Sequence, residues 1–136
     1  MDPEKVRAKV LAALRGVYDP EIPINVVDLG LIREVAVEEG PEGTLVKVRY
    51  TMTAPGCPLV RMISELIRNA AQAAAGEGAK VELIYEDFPP WTPGDMTEEG
   101  REEFKRRFGY DIMEAFLKQW GSVENYIEAV RKALGK

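Results

Sequence analysis

The sequence has 136 residues, of which 46% are hydrophobic and 30% charged, and it carries a formal net charge of −5. This length and composition fit a domain with a buried core and exclude a disordered chain, while the acidic balance disfavours nucleic acid as the primary partner. One cysteine and no histidine exclude an intramolecular disulfide and a Ser-His-Asp triad, and they leave too few ligands for a typical zinc site.

The sequence shows no sign of membrane targeting. Its first ten residues are charged and lack the apolar core of a signal peptide. No apolar run approaches the ~18 residues of a transmembrane helix. We therefore expect a soluble, cytoplasmic protein that works on neither a membrane nor a nucleic acid.

A first helix is predicted directly after the N-terminus. Asp2 suits its N-cap, Pro3 its first position and Glu4 its first turn. Four apolar residues recur at helical spacing and predict one buried face: Val6, Val10, Leu14 and Val17. Residues 18–30 follow and contain two prolines, two aspartates and a glycine, which predicts an ordered loop.

Two strands joined by a tight turn are predicted next. Residues 31–38 predict the first strand, and residues 39–43, with two glycines and a proline, predict the turn. Residues 44–53 alternate between two faces. One face contains Val46, Val48, Tyr50 and Met52, and the other contains Lys47, Arg49, Thr51 and Thr53. The pattern predicts an antiparallel hairpin.

A long helix and a third strand complete the predicted core. The helix begins at Pro58 and closes at Gly76. Its inward residues are predicted to be Leu59, Met62, Ile63, Leu66, Ile67 and Ala70. Residues 80–86 predict a strand that pairs in parallel through a right-handed crossover. The order α-β-β-α-β predicts an α/β fold of the α+β type, a two-layer sandwich with a small mixed sheet and helices on one face.

The C-terminal part is predicted to be helical. After the proline-rich residues 88–94, residues 97–99 (TEE) predict the start of a helix. From Asp111 onward the chain has its own apolar stripe, formed by Ile112, Phe116, Trp120, Tyr126, Ile127, Val130 and Leu134. We predict a domain over residues 1–110 and a helical extension over residues 111–136 that packs on the domain or on a partner.

The segment 51–59, TMTAPGCPL, is the most informative stretch of the sequence. It predicts a strand, a tight turn and a helix, with Cys57 at or next to the N-cap of that helix. The unpaired amides and positive dipole of a helix N-terminus favour a thiolate, the form that binds metal or attacks. Gly56 leaves room beside the sulfur, and Thr51 and Thr53 offer hydroxyl groups. A lone cysteine is also commonly a small buried hydrophobe, so the residues alone leave both interpretations open.

The loop 18–30 is a second candidate site. Asp19 and Glu21 are carboxylates among apolar neighbours, and loop residues on a rigid scaffold often carry function. Aspartate before proline is also ordinary turn chemistry, so both interpretations stay open for these two residues. For Asp28, hydrogen bonding to nearby backbone is favoured.

Three aromatic residues are candidates for partner binding: Trp91, Phe116 and Trp120. Phe116 and Trp120 belong to the apolar stripe of the extension. Trp91 lies between prolines in FPPWTPG, where a tryptophan is more often a packed loop plug.

Three motifs together are typical of one protein family. They are DPEIPINVVDLGLI at 19–32, TMTAPGCP at 51–58 and PPWTPGDMTEEGREEF at 89–104. They resemble the SufT- and PaaD-like family of iron–sulfur cluster assembly factors, whose eukaryotic relatives belong to the cytosolic iron–sulfur targeting machinery. The resemblance covers residues 3–110 and implies the predicted fold and a role in iron–sulfur protein maturation. It also implies that Cys57 is the functional residue, with Asp19 and Glu21 near it.

The resemblance implies a protein that binds clusters, or transfers them to client or carrier proteins, through Cys57. A cluster usually needs four thiolates and this chain supplies one. We therefore expect any cluster to be labile and to be completed by the second chain of a homodimer, a small thiol or a client. The alternative is an accessory subunit of a larger oxygenase or assembly complex with no cluster of its own. An enzyme is disfavoured, because the chain has neither a histidine base nor a resolving cysteine.

Overall fold

The computed structural model describes residues 2–54 and 58–136. Within these residues, five α-helices and a three-stranded mixed sheet form an α+β fold. The helices are α1 (Pro3–Leu14), α2 (Val60–Ala75), α3 (Glu98–Phe108), α4 (Ile112–Trp120) and α5 (Val123–Ala133), and the strands are β1 (Ile32–Gly40), β2 (Gly43–Tyr50) and β3 (Lys80–Tyr85). The predicted order and the mixed sheet are confirmed. None of the described helices is long and apolar enough to cross a membrane.

The sheet has the strand order β1-β2-β3. β1 and β2 form the predicted antiparallel hairpin, with Val35 opposite Val48. β3 pairs with β2 in parallel, with Val81 opposite Val46, as expected for a crossover through α2. β2 ends at Tyr50, three residues before the predicted end.

The core lies between one face of the sheet and the first two helices. Side chains from both layers form one buried cluster, which includes Val6, Val10, Leu14, Val35, Val46, Val48, Ile63, Ile67 and Val81. α1 follows the prediction at its start, where Asp2 Oδ1 accepts a hydrogen bond from Glu4 N at 3.0 Å. The opposite sheet face carries alternating charged residues, namely Glu34, Glu38, Lys47, Arg49, Lys80 and Glu82. One face of the sheet is therefore polar.

α2 departs from the prediction at its first turn and along one side. It begins at Val60 rather than Pro58, because residues 58–59 form a turn, and Leu59 at the N-cap makes no side-chain cap. The buried residues of α2 are Ile63, Ile67, Ala71 and Ala75. Met62 and Leu66 were predicted to point inward but are 44% and 42% exposed. The buried residues recur every four positions and form a single row along the helix. This row is narrower than the whole apolar surface of α2, so some apolar side chains lie outside the contact with the sheet.

Side chains of α2 also reach the outer edge of β3. Glu86 N donates to Tyr50 O, the last carbonyl of β2, at 2.9 Å. The backbone N–H and C=O groups of even-numbered residues in and beside β3 therefore point toward β2, and those of odd-numbered residues point away from the sheet. Arg68 Nη1 donates to Val81 O at 3.1 Å, and Gln72 Nε2 donates to Ala79 O at 2.8 Å. Two outward carbonyls are thus bonded to side chains of the same molecule.

The predicted helical extension consists of α4 and α5, which pack on each other. The rings of Phe116 and Trp120 lie with their centroids 5.1 Å and 4.9 Å from that of Tyr126. Burial raises the pKa of the Tyr126 hydroxyl. Ile112 packs against the core cluster, and Lys136 Nζ lies 3.5 Å from Asp87 Oδ1. The extension therefore contacts the sheet domain at both of its ends.

Candidate functional site

The loop 18–30 and the end of β2 meet at one end of the sheet. Leu31 O, which directly follows the loop, accepts a hydrogen bond from Thr51 N at 2.9 Å. β1 therefore begins where β2 ends, and Ile32 lies opposite Tyr50. Cys57 and Gly56 follow β2 in the sequence, and their predicted positions lie outside the described residues.

Asp19 is the most deeply buried polar side chain of this region, with 2% of its surface exposed. Its Oδ1 accepts hydrogen bonds from Glu21 N at 2.7 Å and Ile22 N at 3.3 Å. Its Oδ2 is buried and has no hydrogen-bond partner within residues 2–54 and 58–136. Because a buried oxygen without a partner is costly, Oδ2 is a candidate acceptor for a group not yet in place. Glu21 lies on the same turn and is exposed.

The Thr51 hydroxyl group bonds to the backbone rather than being available to a ligand. It is 2% exposed, and its Oγ1 donates to Glu86 O at 2.7 Å. This hydrogen bond ties the end of β2 to the end of β3. Thr53 is half-buried beyond the end of the strand. Unlike the hydroxyl group of Thr51, that of Thr53 does not tie β2 to β3.

Charged side chains brace the same end of the sheet on its polar face. Arg49 Nε lies 2.9 Å from Glu86 Oε2, and Arg33 Nη1 lies 3.3 Å from Glu86 Oε1. Arg49 also contacts Glu34 Oε1 at 3.1 Å. The hydrogen bond from Arg49 lowers the pKa of the Glu86 carboxyl, so this carboxylate is held in its charged form.

Asp28 has a structural role, as the sequence indicated, but its main partners were not predicted. Thr97 Oγ1 donates to Asp28 Oδ1 at 3.0 Å, and Asn25 Nδ2 donates to Asp28 Oδ2 at 2.8 Å. The backbone also takes part, since Thr97 N donates to Asp28 O at 2.9 Å. Asp28 therefore joins the loop to the N-terminus of α3.

Trp91 is packed against the loop 18–30. It is 7% exposed, and its Nε1 donates to Leu29 O at 2.6 Å. The indole covers the loop 18–30, as a packed plug would, and the role of Trp91 in partner binding stays a prediction. Phe116 and Trp120 are partly exposed on the extension, and their role in partner binding stays a prediction.

The described residues do not form a metal centre by themselves. No group of three or more His, Cys, Asp or Glu side chains in this part of the chain could hold a metal ion. Asp19 and Glu21 are hard oxygen ligands and suit iron–sulfur centres less well than thiolates.

The sequence motifs and this fold coincide with one family. A model of the family described as iron-sulfur cluster assembly protein matches residues 7–83. The chain belongs to this family. The match runs from α1 to β3 and includes both the loop 18–30 and the segment 51–59, which confirms the resemblance stated above.

Relatives and solved structures agree with this assignment. A Porphyromonas gingivalis protein named Fe-S protein maturation auxiliary factor is 45% identical over 91 residues, which cover 66% of this chain and 82% of that protein. The Fe-S protein maturation auxiliary factor YitW of Bacillus subtilis is 32% identical over 95 residues, covering 69% and 88%. A crystal structure of a DUF59 domain from Bacillus anthracis superposes with a TM-score of 0.66 at 27% identity, covering 74% and 92%.

Several contacts of the loop come from outside the residues that the family model matches. Trp91 and Thr97 lie beyond residue 83, where the match ends, yet they bond to Leu29 and Asp28. The third sequence motif, at 89–104, contained both residues. The sequence did not indicate which residues Trp91 and Thr97 would contact.

Proposed function

We propose that this member of the iron–sulfur cluster assembly family binds clusters and passes them to client or carrier proteins through Cys57. Family membership carries the proposal, because the matched residues 7–83 contain the one cysteine of the chain. Relatives named as Fe-S protein maturation auxiliary factors support the same role. We place the reaction in the cytoplasm, where a single thiol stays reduced.

The chemistry we propose is ligand exchange on a cluster that is cargo. The Cys57 thiolate holds one iron. A thiol of the client loses its proton to solvent, and the resulting thiolate attacks that iron. The new iron–sulfur bond forms as the bond to Cys57 breaks, and Cys57 leaves as a thiolate. Metal and sulfide keep their oxidation states, so the transfer needs no oxidant or reductant. The chain turns over no substrate and acts as a carrier rather than an enzyme.

The ligand count sets the lifetime of the bound cluster. Cys57 supplies one thiolate, whereas a cluster usually takes four. A homodimer related by a two-fold axis would supply two, so the other ligands come from small thiols or from the client. A cluster held in this way is labile, which suits transfer better than storage.

Anaerobic cluster reconstitution on wild type and Cys57→Ser tests this proposal. Serine keeps the size of the side chain and removes the thiolate, so we expect the iron and sulfide content and the visible absorption to fall to background. Ser122→Ala, a small change in the extension, is the control and should load like wild type. Full loading of Cys57→Ser, or a stable cluster on a monomer in thiol-free buffer, would contradict the proposal.

A second candidate is an accessory subunit of a larger oxygenase or assembly complex, with no cluster of its own. Exposed aromatic residues at the C-terminal end of α3 and just after it favour it, since Phe108 is 44% and Tyr110 is 50% exposed and such groups often mark protein interfaces. Purification from the native organism distinguishes the two candidates. A stable stoichiometric partner together with no reconstituted cluster would support the accessory subunit.

A further inference from the structure

The segment 91–100 contacts the loop 18–30 at several points along its length. Trp91 Nε1 donates to Leu29 O at 2.6 Å in a buried hydrogen bond. Six residues later, Thr97 donates to Asp28 twice, from N to the carbonyl at 2.9 Å and from Oγ1 to Oδ1 at 3.0 Å. We call residues 91–100 the clamp segment.

The two backbones also approach each other too closely for an extra side-chain atom. A Cβ on Gly100 would lie 2.4 Å from Asp28 O. Gly30, whose φ is +85°, lies against Asp95, and a Cβ there would come 2.1 Å from Asp95 O. Because both neighbours are backbone atoms, neither contact can be relieved by a side-chain rotation alone.

The loop side of this contact is held by hydrogen bonds within the loop. Asn25 Nδ2 donates to Asp28 Oδ2 at 2.8 Å, and Asn25 Oδ1 accepts from the amides of Val27 and Asp28 at 3.0 Å and 2.9 Å. Farther along the loop, Asp19 N donates to Ile24 O at 3.3 Å. Asp28 and Asp19 are thus connected through their hydrogen bonds to Asn25 and Ile24, which are neighbours in the sequence.

The Asp28 carboxylate also lies at the N-terminus of α3, where Thr97 is the N-cap and its Oγ1 accepts from Gly100 N at 3.0 Å. A negative charge is favoured at that end of a helix. The position of the loop is therefore coupled to the start of α3, an element outside the residues 7–83 that the family model matches.

We propose that the clamp segment positions the loop 18–30 for cluster transfer. Asp28 and Thr97 are positioning residues that act through Asp19 and Glu21. This inference rests on the proposed function. It assigns a role in the site to two residues that contribute no ligand, and one of them, Thr97, lies 69 positions from its partner in the sequence.

The test compares Thr97→Val with Thr97→Ser and Ser122→Ala in the full chain. Valine removes the hydroxyl, whereas serine restores it. Ser122→Ala removes an N-cap of the same kind, the bond from Asn125 N to Ser122 Oγ at 3.0 Å, without touching the loop. Both variants lose an N-cap of similar worth, and Thr97→Val also loses the bond to Asp28, so a difference in stability alone does not demonstrate positioning.

Two readouts separate positioning from stability. We expect Thr97→Val to raise amide hydrogen exchange at Glu21 and Ile22 by about tenfold, as the loss of a hydrogen bond to a charged group allows. We expect the rate of cluster transfer to an apo-client to fall by a comparable factor. Thr97→Ser should restore both values, and Ser122→Ala should change neither.

Gly100→Ala provides a second, independent variant in case Thr97→Val does not fold. Alanine favours the helix more than glycine does, but its Cβ must displace Asp28, so exchange at the loop should rise while α3 is retained. Gly40→Ala is its control, since a Cβ on Gly40 meets nothing within 4 Å.

The outcomes distinguish a failure of this inference from a failure of the proposed function. Unchanged loop exchange in Thr97→Val and Gly100→Ala would overturn the coupling. Faster exchange with an unchanged transfer rate would overturn the positioning role while the proposed function stands. A wild-type protein that transfers no cluster would overturn both, whatever the exchange data show.

Discussion

At the scale of single residues, Asp19 uses its two carboxylate oxygens in different ways. Oδ1 closes the turn by accepting the amides of Glu21 and Ile22. Oδ2 is buried and has no partner in the part of the chain that the structure describes. One oxygen therefore stabilises the fold, and the other is a candidate for function.

Substitutions at Asp19 should separate these two uses. Asp19→Ala leaves two amides without an acceptor, so we expect a loss of about 1–3 kcal/mol in the free energy of unfolding. Asp19→Asn keeps an acceptor oxygen for both amides and should cost less, while still lowering the rate of cluster transfer. Urea unfolding and a transfer assay measure the two effects. Equal loss of stability in both variants, with transfer following stability, would mean that Asp19 is only structural.

The candidate residues could be chosen from the sequence, but their contacts could not. Cys57, Asp19 and Glu21 stood out because each lies in a motif with a distinctive residue order. The bond between Asp28 and Thr97 joins residues 69 positions apart, and no local pattern indicates such a pair. The packing of Trp91 depends on another long-range contact, its bond to Leu29, 62 positions away.

Glu86 shows how charge stabilises this end of the sheet. The hydrogen bond from Arg49, with Arg33 in support, lowers the pKa of Glu86 below its ordinary value. The charged carboxylate therefore stabilises the folded state above the unfolded pKa of about 4.3. This contribution is lost as the pH falls through the lowered pKa of the folded state.

Glu86→Gln should accordingly lower stability at neutral pH and change it little in acid. We expect the difference in Tm between wild type and Glu86→Gln to shrink as the pH is lowered from 7 to below 4. Thermal unfolding monitored by circular dichroism at a series of pH values measures this difference. A difference that stays constant across the range would show that the ion pairs with Arg49 and Arg33 do not stabilise the fold.

At the scale of elements, α2 shows what periodicity predicts and where it fails. The apolar residues of α2 correctly predicted a helix on the sheet and its end at Gly76. They did not show which of them face the sheet, because Met62 and Leu66 are as apolar as Ile63 and Ile67. Only the width of the contact with the sheet, a tertiary property, decides between them.

Alanine substitutions on α2 should show this asymmetry. Ile67 is fully buried, and Ile67→Ala should cost about 2–5 kcal/mol in the free energy of unfolding. Leu66→Ala, its neighbour with 42% exposure, should cost roughly 0.5 kcal/mol, as surface changes do. Chemical denaturation of both variants checks this difference. Similar costs would mean that Leu66 is covered in solution, for example by a second chain.

At the scale of the whole molecule, the extension is attached through both of its ends. Ile112 packs against the core, and Asp111 caps α4 while lying 3.6 Å from Arg101 Nη2. At the other end, Lys136 lies close to Asp87. The division of the chain at residue 110 stays a prediction, since these contacts cross it.

A chain that ends at Tyr110 should be less stable than the full chain. It loses the packing of Ile112 and leaves core surface uncovered, so we expect a Tm lower by about 4 °C or more. Thermal unfolding and size-exclusion chromatography measure stability and association. A shortened chain that is as soluble, as stable and as well associated as the full one would show that the extension is neither a core element nor an oligomer interface.

The bonds from Arg68 and Gln72 to the carbonyls of Val81 and Ala79 limit how two molecules can meet. A strand joining β3 from another chain would have to displace both side chains before its own amides could reach those oxygens. Growth of the sheet from one molecule into the next is therefore disfavoured at the β3 edge. Under the proposed function, two molecules that shared a cluster would have to bring their Cys57 residues together, so loading and pairing would occur on the same surface and the pair would separate when the cargo leaves.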